Sequence, residues 1–207
     1  PTMIEKKYME PTGRWNLDVG FFVVDKPSSA KASEGRGEAN FVLGWSHEEV
    51  LTAIASKYIS SYKDLPFSAY QIQTKFRNEA RAKSGLLRGK EFMMKDLYSF
   101  HASEKDLAEY YEKVKEAYFK IFERCGLKAI YTIAAGGDFT MSNTHEFQVL
   151  SDVGEDTIML CSGCEYAENV EISKLKEGDA CPKCGGKVVE QKSIEAGNIF
   201  KYGPKYS

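Results

Sequence analysis

AYQIQTKFRNEARAKSGLLRGKEFMMKDLYSF, residues 69–100, is two extended runs joined by a basic loop, and the rest of the chain is read outward from it. Over residues 69–79 the side chains alternate. Tyr70, Ile72, Thr74 and Phe76 fall on one side, and Gln71, Gln73, Lys75, Arg77 and Glu79 on the other, which is the period of a β-strand. The return run EFMMKDLYSF (91–100) predicts a hairpin with one polar face. Residues 75–95 hold seven Lys or Arg against two Glu, a local charge of +5 in a chain whose net charge is -2. Positive charge is therefore concentrated on one hairpin. A guanidinium fork grips phosphate at two points and steadies charge growing in a transition state. Glu79 adds an acceptor suited to a ligand with both phosphates and a donor edge, such as a nucleotide, and Phe92 is placed to stack on a base. The same residues are also compatible with a solvated surface hairpin whose Phe76 and Phe92 belong to the core.

Upstream, FFVV (21–24) and FVLGW (41–45) read as strands around a loop rich in Ser, Gly, Lys and Glu at 25–38. Ser46 and Glu49 have the hydroxyl-to-carboxylate spacing of a capping box. Val50, Leu51, Ile54, Tyr58 and Ile59 then recur at helical spacing, which predicts a helix over 47–62, with Pro66 ending any extension. Downstream, Ser103 and Asp106 open the clearest helix, 103–125. It is striped by Leu107, Tyr111, Val114, Tyr118 and Ile121 and stopped at Gly126. Short strands follow around Gly136 and Gly137 and in EFQVL (146–150).

Composition narrows the class. The chain is 43% hydrophobic and 13% aromatic, enough for a packed core. Its net charge of -2 rules out a global polyanion trap, so any phosphate binding is local. No apolar run approaches the roughly 18 residues that span a bilayer, and the polar start PTMIEKKYME is not a signal peptide. Starting at Pro1 and ending in KYGPKYS, it reads as a segment of a longer protein. Four of five cysteines form C-x2-C-x16-C-x2-C, namely Cys161, Cys164, Cys181 and Cys184. Two such knuckles deliver four thiolates tetrahedrally to a structural Zn2+, with no position left for water. Cys125, at a helix end, reads as a small core residue.

FRNE (76–79), followed by LLRGKEFMMKDLYSF (86–100), resembles motif 2 of the class II aminoacyl-tRNA synthetases. QTKFRNE with KDLYSFH is specifically similar to the prolyl-tRNA synthetases. TGRW (12–15), ISSYKDLPF (59–67), GGDFTMSNTHEFQVLSDVGED (136–156) and SIEAGNIFKYGPKYS (193–207) extend the likeness over most of the chain. Trp45-Ser46-His47-Glu48-Glu49 stands where the family has Pro-Thr-His-Glu-Glu, so Trp45 departs from it, as do Asn198 and Pro204 near the end.

The resemblance implies an α+β fold: a class II synthetase-like antiparallel sheet flanked by helices, with a small zinc-ribbon-like insertion. It divides the chain into a partial catalytic domain at 1–160, the insertion at 161–192 and a return strand at 193–207. It implies ATP-dependent activation of proline and its ligation to tRNA(Pro), in a cytoplasmic protein that is homodimeric at full length. Arg77 would hold the α-phosphate of ATP and the amino-acid carboxylate. Glu79 would meet the adenine's amino edge, Arg88 would reach the terminal phosphates, and Phe92 would stack on adenine. Ser46, Glu48 and Glu146 would contact proline, Glu48 through its ammonium, with Glu146 an alternative ligand of substrate-bound Mg2+. His145 reads as a hydrogen-bonded core residue. Motif 3 and the anticodon-binding domain are not in this chain, and with only 16 residues between the knuckles no cis-editing domain is expected. Two rival readings are a non-catalytic RNA-binding zinc module and a class II synthetase for threonine or serine.

Overall fold

The computed structural model describes residues 1–24, 39–80, 85–137 and 144–203. The loop expected at 25–38, residues 81–84 of the basic loop, Ser142 and Asn143, and Pro204 lie outside them. The chain forms two compact units, Pro1–Glu104 and Lys105–Gly203.

In the first unit β1 (Met3–Glu5) leads into a one-turn helix, α1 (Lys6–Met9). A 3-10 turn (Arg14–Asn16), β2 (Phe22–Val24), β3 (Ala39–Leu43) and α2 (Glu48–Ala55) follow. β3 is the centre of a three-stranded antiparallel sheet in the order β1-β3-β2. Ile4, Met9, Trp15, Ala39, Val42, Trp45 and Val50 form its core. Gly20 is required by packing, since a Cβ there would lie 2.6 Å from the Trp45 ring and 2.9 Å from Val42 Cγ2.

β4 (Phe67–Phe76) and β5 (Glu91–Phe100) pair antiparallel from Phe67↔Phe100 to Phe76↔Glu91, which is the expected hairpin. Its facing reverses the usual binary rule. Tyr70 and Ile72 are 69% and 63% exposed, whereas Lys75 on the polar side is 0% exposed. The polar side turns inward, where Gln73 and Lys75 meet His47, and Lys75 also meets Asp96, which holds Tyr98.

α2 is shorter than the predicted 47–62. Tyr58 is 70% exposed, so the apolar spacing beyond Ala55 finds no surface to cover and the chain turns. Its N-cap is His47, without a side-chain cap bond, so the Ser46 capping box is not formed. A capping box does form at Ser61 and Asp64, around the 3-10 turn Tyr62–Asp64.

The second unit rests on α3 (Glu104–Arg124), which ends at Gly126 with φ +74°, as expected for a left-handed stop. Five strands close a small barrel in the order β10-β7-β6-β9-β8. They are β6 (Ala129–Ala134), β7 (Thr144–Leu150), β8 (Asp156–Cys161), β9 (Ala167–Asn169) and β10 (Val188–Ile199). All neighbours are antiparallel except β6 and β9. Tyr118 and Phe122 of α3 pack on Phe147 of β7, with ring centroids 4.8 and 5.5 Å away. β10 runs unbroken through residues 192 and 193. Its first half pairs with β8 (Val188↔Cys161) and its second with β7 (Ile199↔His145).

The α+β class is observed, with few helices. The single antiparallel sheet is not: the strands divide among a three-stranded sheet, a ribbon and a barrel containing one parallel pair. Among the described residues no helix is long and apolar enough to cross a membrane.

Candidate functional site

The first unit gathers most of the residues singled out by the sequence. Arg77 follows β4 and keeps its register, its N–H donating to the Lys90 carbonyl at 2.9 Å. Its guanidinium lies 5.3 Å over the Phe92 ring, a cation–π contact. Its Nε–H donates to the Trp45 carbonyl at 3.4 Å, one residue ahead of Ser46. Arg88 meets Glu79 at 3.3 Å on the exposed side. The four residues Arg77, Glu79, Arg88 and Phe92 thus share the loop end of the ribbon, and Arg77 reaches toward the segment that carries Ser46 and Glu48. Phe92 already serves Arg77 with its ring. Lys75, counted with the basic loop, is no part of that rim.

Ser46 and Glu48 are buried, and a residue that carries no motif of its own in the sequence organises them. Arg14, only 3% exposed, donates to Glu48 Oε2 at 2.8 Å, to both Glu49 oxygens at 3.0 Å, and to Ser46 Oγ. Thr12 Oγ1 donates to Glu49 Oε1 at 2.8 Å. One guanidinium therefore bridges two carboxylates. Buried carboxylates need such a partner. Two adjacent glutamates at the start of an apolar helix were the available signal that a cation must be supplied from elsewhere.

Behind Ser46 lies a second polar cluster. The Lys75 ammonium is 2.6 Å from His47 Nδ1 and 3.1 Å from Asp96 Oδ1. Asp96 Oδ2 accepts from Tyr98 OH at 2.6 Å and from Gln71 at 2.8 Å, and the His47 backbone N–H donates to Tyr98 OH at 3.2 Å. An ammonium has no acceptor capacity, so Nδ1 accepts and the ring proton sits on Nε2, 2.8 Å from the Pro1 carbonyl. Burial, then the Lys75 charge, push the His47 pKa down, while the Pro1 contact opposes them. Burial lowers that of Lys75, against Asp96.

Glu146 and His145 belong to the second unit. Glu146 Oε2 accepts from Gln148 Nε2 at 2.9 Å and from Asn169 Nδ2 at 3.3 Å. Burial pushes its carboxyl above the usual range, partly offset by these two donors. His145 stacks on Tyr131 with ring centroids 4.3 Å apart, and its Nδ1 lies 2.9 Å from Tyr111 OH. Asn198 accepts from Thr144 Oγ1 at 3.1 Å.

Cys161, Cys164, Cys181 and Cys184 converge, with all four sulfurs within 4.8 Å of one another. The Cys161–Cys184 and Cys164–Cys181 separations are 3.5 and 3.7 Å. A tetrahedral ion with roughly 2.3 Å bonds to sulfur needs edges of about 3.8 Å, so the donor set fits. Backbone N–H groups of Gly163, Lys183 and Gly186 point at the sulfurs from 3.3 to 3.4 Å, an arrangement that favours thiolates. Gly186 packs tightly on the cluster, since a Cβ there would stand 3.2 Å from both Cys161 and Cys184 sulfurs. Cys125 is exposed and so is not the core residue its helix-end position suggested.

Residues 31–183 match the family described as tRNA synthetase class II core domain (G, H, P, S and T). That match takes in well over half of the chain, and the chain belongs to this family. Within it the relatives are specific. A proline–tRNA ligase of Bacillus cytotoxicus is 42% identical over 206 residues, 97% of this chain and 35% of that protein. One from Bacillus cereus (strain B4264) has the same 42% identity and coverage. The chain thus spans about a third of the length of the curated relatives it matches. A prolyl-tRNA synthetase of Cryptosporidium parvum, solved with halofuginone and AMPPNP, shares the fold at a TM-score of 0.59 and 18% identity, over 72% of this chain and 29% of that one.

Proposed function

We propose that the protein activates proline with ATP and transfers it to tRNA(Pro), as part of a cytoplasmic, dimeric enzyme. The observation that carries this reading is Arg77, which sits over Phe92, beside the Glu79–Arg88 pair, and ties back to the Trp45 carbonyl. A cation in that place serves both a phosphate and the carboxylate that attacks it. In the reaction a proline carboxylate oxygen bonds to the α-phosphorus as the bond to pyrophosphate breaks. The 3′-terminal ribose hydroxyl of tRNA then attacks the acyl carbon and expels AMP. Arg77 steadies the charge on the phosphorus centre, and Arg88 draws off charge on the leaving group with substrate-bound Mg2+. Glu79 accepts from the adenine amino group. The Glu48 carboxylate suits the prolyl ammonium, with Ser46 beside it.

The cysteine cluster holds a structural Zn2+, which fixes the link between β8 and β10 and takes no part in the chemistry. Proline-dependent ATP–pyrophosphate exchange on the full-length protein tests the reading. Arg77→Ala should slow it by about a hundredfold or more, the scale of losing one charged transition-state contact. Exchange driven by threonine or serine but not proline, or an Arg77→Ala variant near wild type, overturns it.

A further inference from the structure

Lys75 is the largest fully buried side chain among the described residues, and a buried ammonium is an expensive way to fill space. Its contacts converge on one neighbour. The Lys75 side chain runs back along β4 and inserts Nζ between Asp96 and His47, at 3.1 and 2.6 Å. Asp96 also holds Tyr98 OH, and that hydroxyl receives the His47 backbone N–H. Nε2–H donates to the Pro1 carbonyl at 2.8 Å. Both ring nitrogens and the backbone N–H of His47 are thus held, two of these contacts coming from the β4–β5 ribbon.

His47 is the single residue between Ser46 and Glu48, and it is the N-cap of α2. Fixing its ring and its N–H fixes the direction in which the two flanking side chains leave the backbone. Arg14 gathers those side chains from the other side. The ribbon carrying Arg77 is therefore coupled to the Ser46–Glu48 turn by a charged strut of known composition.

We propose that Lys75 and Asp96 are positioning residues for amino-acid recognition: through His47 they set the Ser46–Glu48 turn in register with Arg77. The inference rests on the assignment of Ser46 and Glu48 to the amino-acid substrate. Neither Lys75 nor Asp96 touches the substrate. Their effect reaches the amino acid and leaves ATP, held at the loop end of the ribbon, largely alone.

Two variants approach His47 independently in the full-length protein. Lys75→Met with Asp96→Asn removes the strut without stranding a buried charge. Gly44→Ala displaces the ring sterically, because a Cβ there would stand 2.7 Å from His47 Cε1 and 2.9 Å from Nε2, while the Lys75–Asp96 pair stays in place. Each should raise the KM for the amino acid by about tenfold in ATP–pyrophosphate exchange, with the KM for ATP changed less than about twofold. A purely structural role would depress kcat, or move both KM values together, and that result overturns the proposal, as does an unchanged KM for the amino acid in both variants. The split is measured with whichever amino acid drives exchange. A failure of proline specificity is thereby distinct from a failure of the strut.

Discussion

Replacing Arg14 by Met removes the guanidinium that bridges Glu48 and Glu49 and leaves two neighbouring carboxylates buried without it. The three side chains are 3–6% exposed, so solvent screening does little for them. Charge centres about 4 Å apart interact by about 4 kcal/mol at an effective dielectric near 20. Arg14 makes two such contacts, against which stands its own desolvation of several kcal/mol. The net loss expected is about 3–5 kcal/mol, the range seen when one member of a buried ion pair is deleted. Both tryptophans of the chain, Trp15 and Trp45, lie in this unit's core, and the Arg14 guanidinium is 5.7 Å over the Trp45 ring. Urea unfolding followed by tryptophan fluorescence therefore reports on this core. The triple variant Arg14→Met, Glu48→Gln, Glu49→Gln should recover most of the loss, because it removes the stranded charges. An Arg14→Met penalty below about 1 kcal/mol, or a triple variant no more stable than the single, would refute the view that charge compensation holds this turn.

Metal analysis of the purified protein should return about one zinc per chain, and chelation should unfold the segment between β8 and β10; a metal-free chain with that segment intact contradicts the tetrathiolate reading. Glu146 supplies a pH test with a definite sign. Its folded pKa is raised by burial above 4.5, so its contribution to stability is present at low pH and lost as pH rises through the folded value. Glu146→Gln keeps an acceptor for Gln148 and Asn169 and removes the charge. Its stability relative to wild type should increase from pH 4 to pH 8, and a difference independent of pH argues that the carboxyl is solvated.

The ribbon was legible because alternation over ten residues is a local signal. Its facing was not. Outward Tyr70 and Ile72 and inward Gln73 and Lys75 become intelligible only with His47 and Asp96 in place, partners many residues away in the chain. The same limit hid Arg14, which meets Glu48 and Glu49 from more than thirty residues upstream. Helical spacing overextended α2, because periodicity registers apolar residues whether or not a surface exists to receive them. At Ser46, a hydroxyl at a helix start suggested a cap, but a buried guanidinium outcompetes a backbone N–H for that oxygen. The cysteine spacing and its convergence agreed, since four sulfurs in two knuckles leave few ways to fold.

β10 has an implication for synthesis. It is the latest of the described strands to leave the ribosome, yet it covers edges of both β7 and β8. Until residues 188–199 emerge, those two edges stay open to stray pairing on the nascent chain. The sulfur cluster is complete once Cys184 has appeared, a few residues before β10 begins, so an ion bound there would pin the root of this strand and seed its zipping from Val188 toward Ile199.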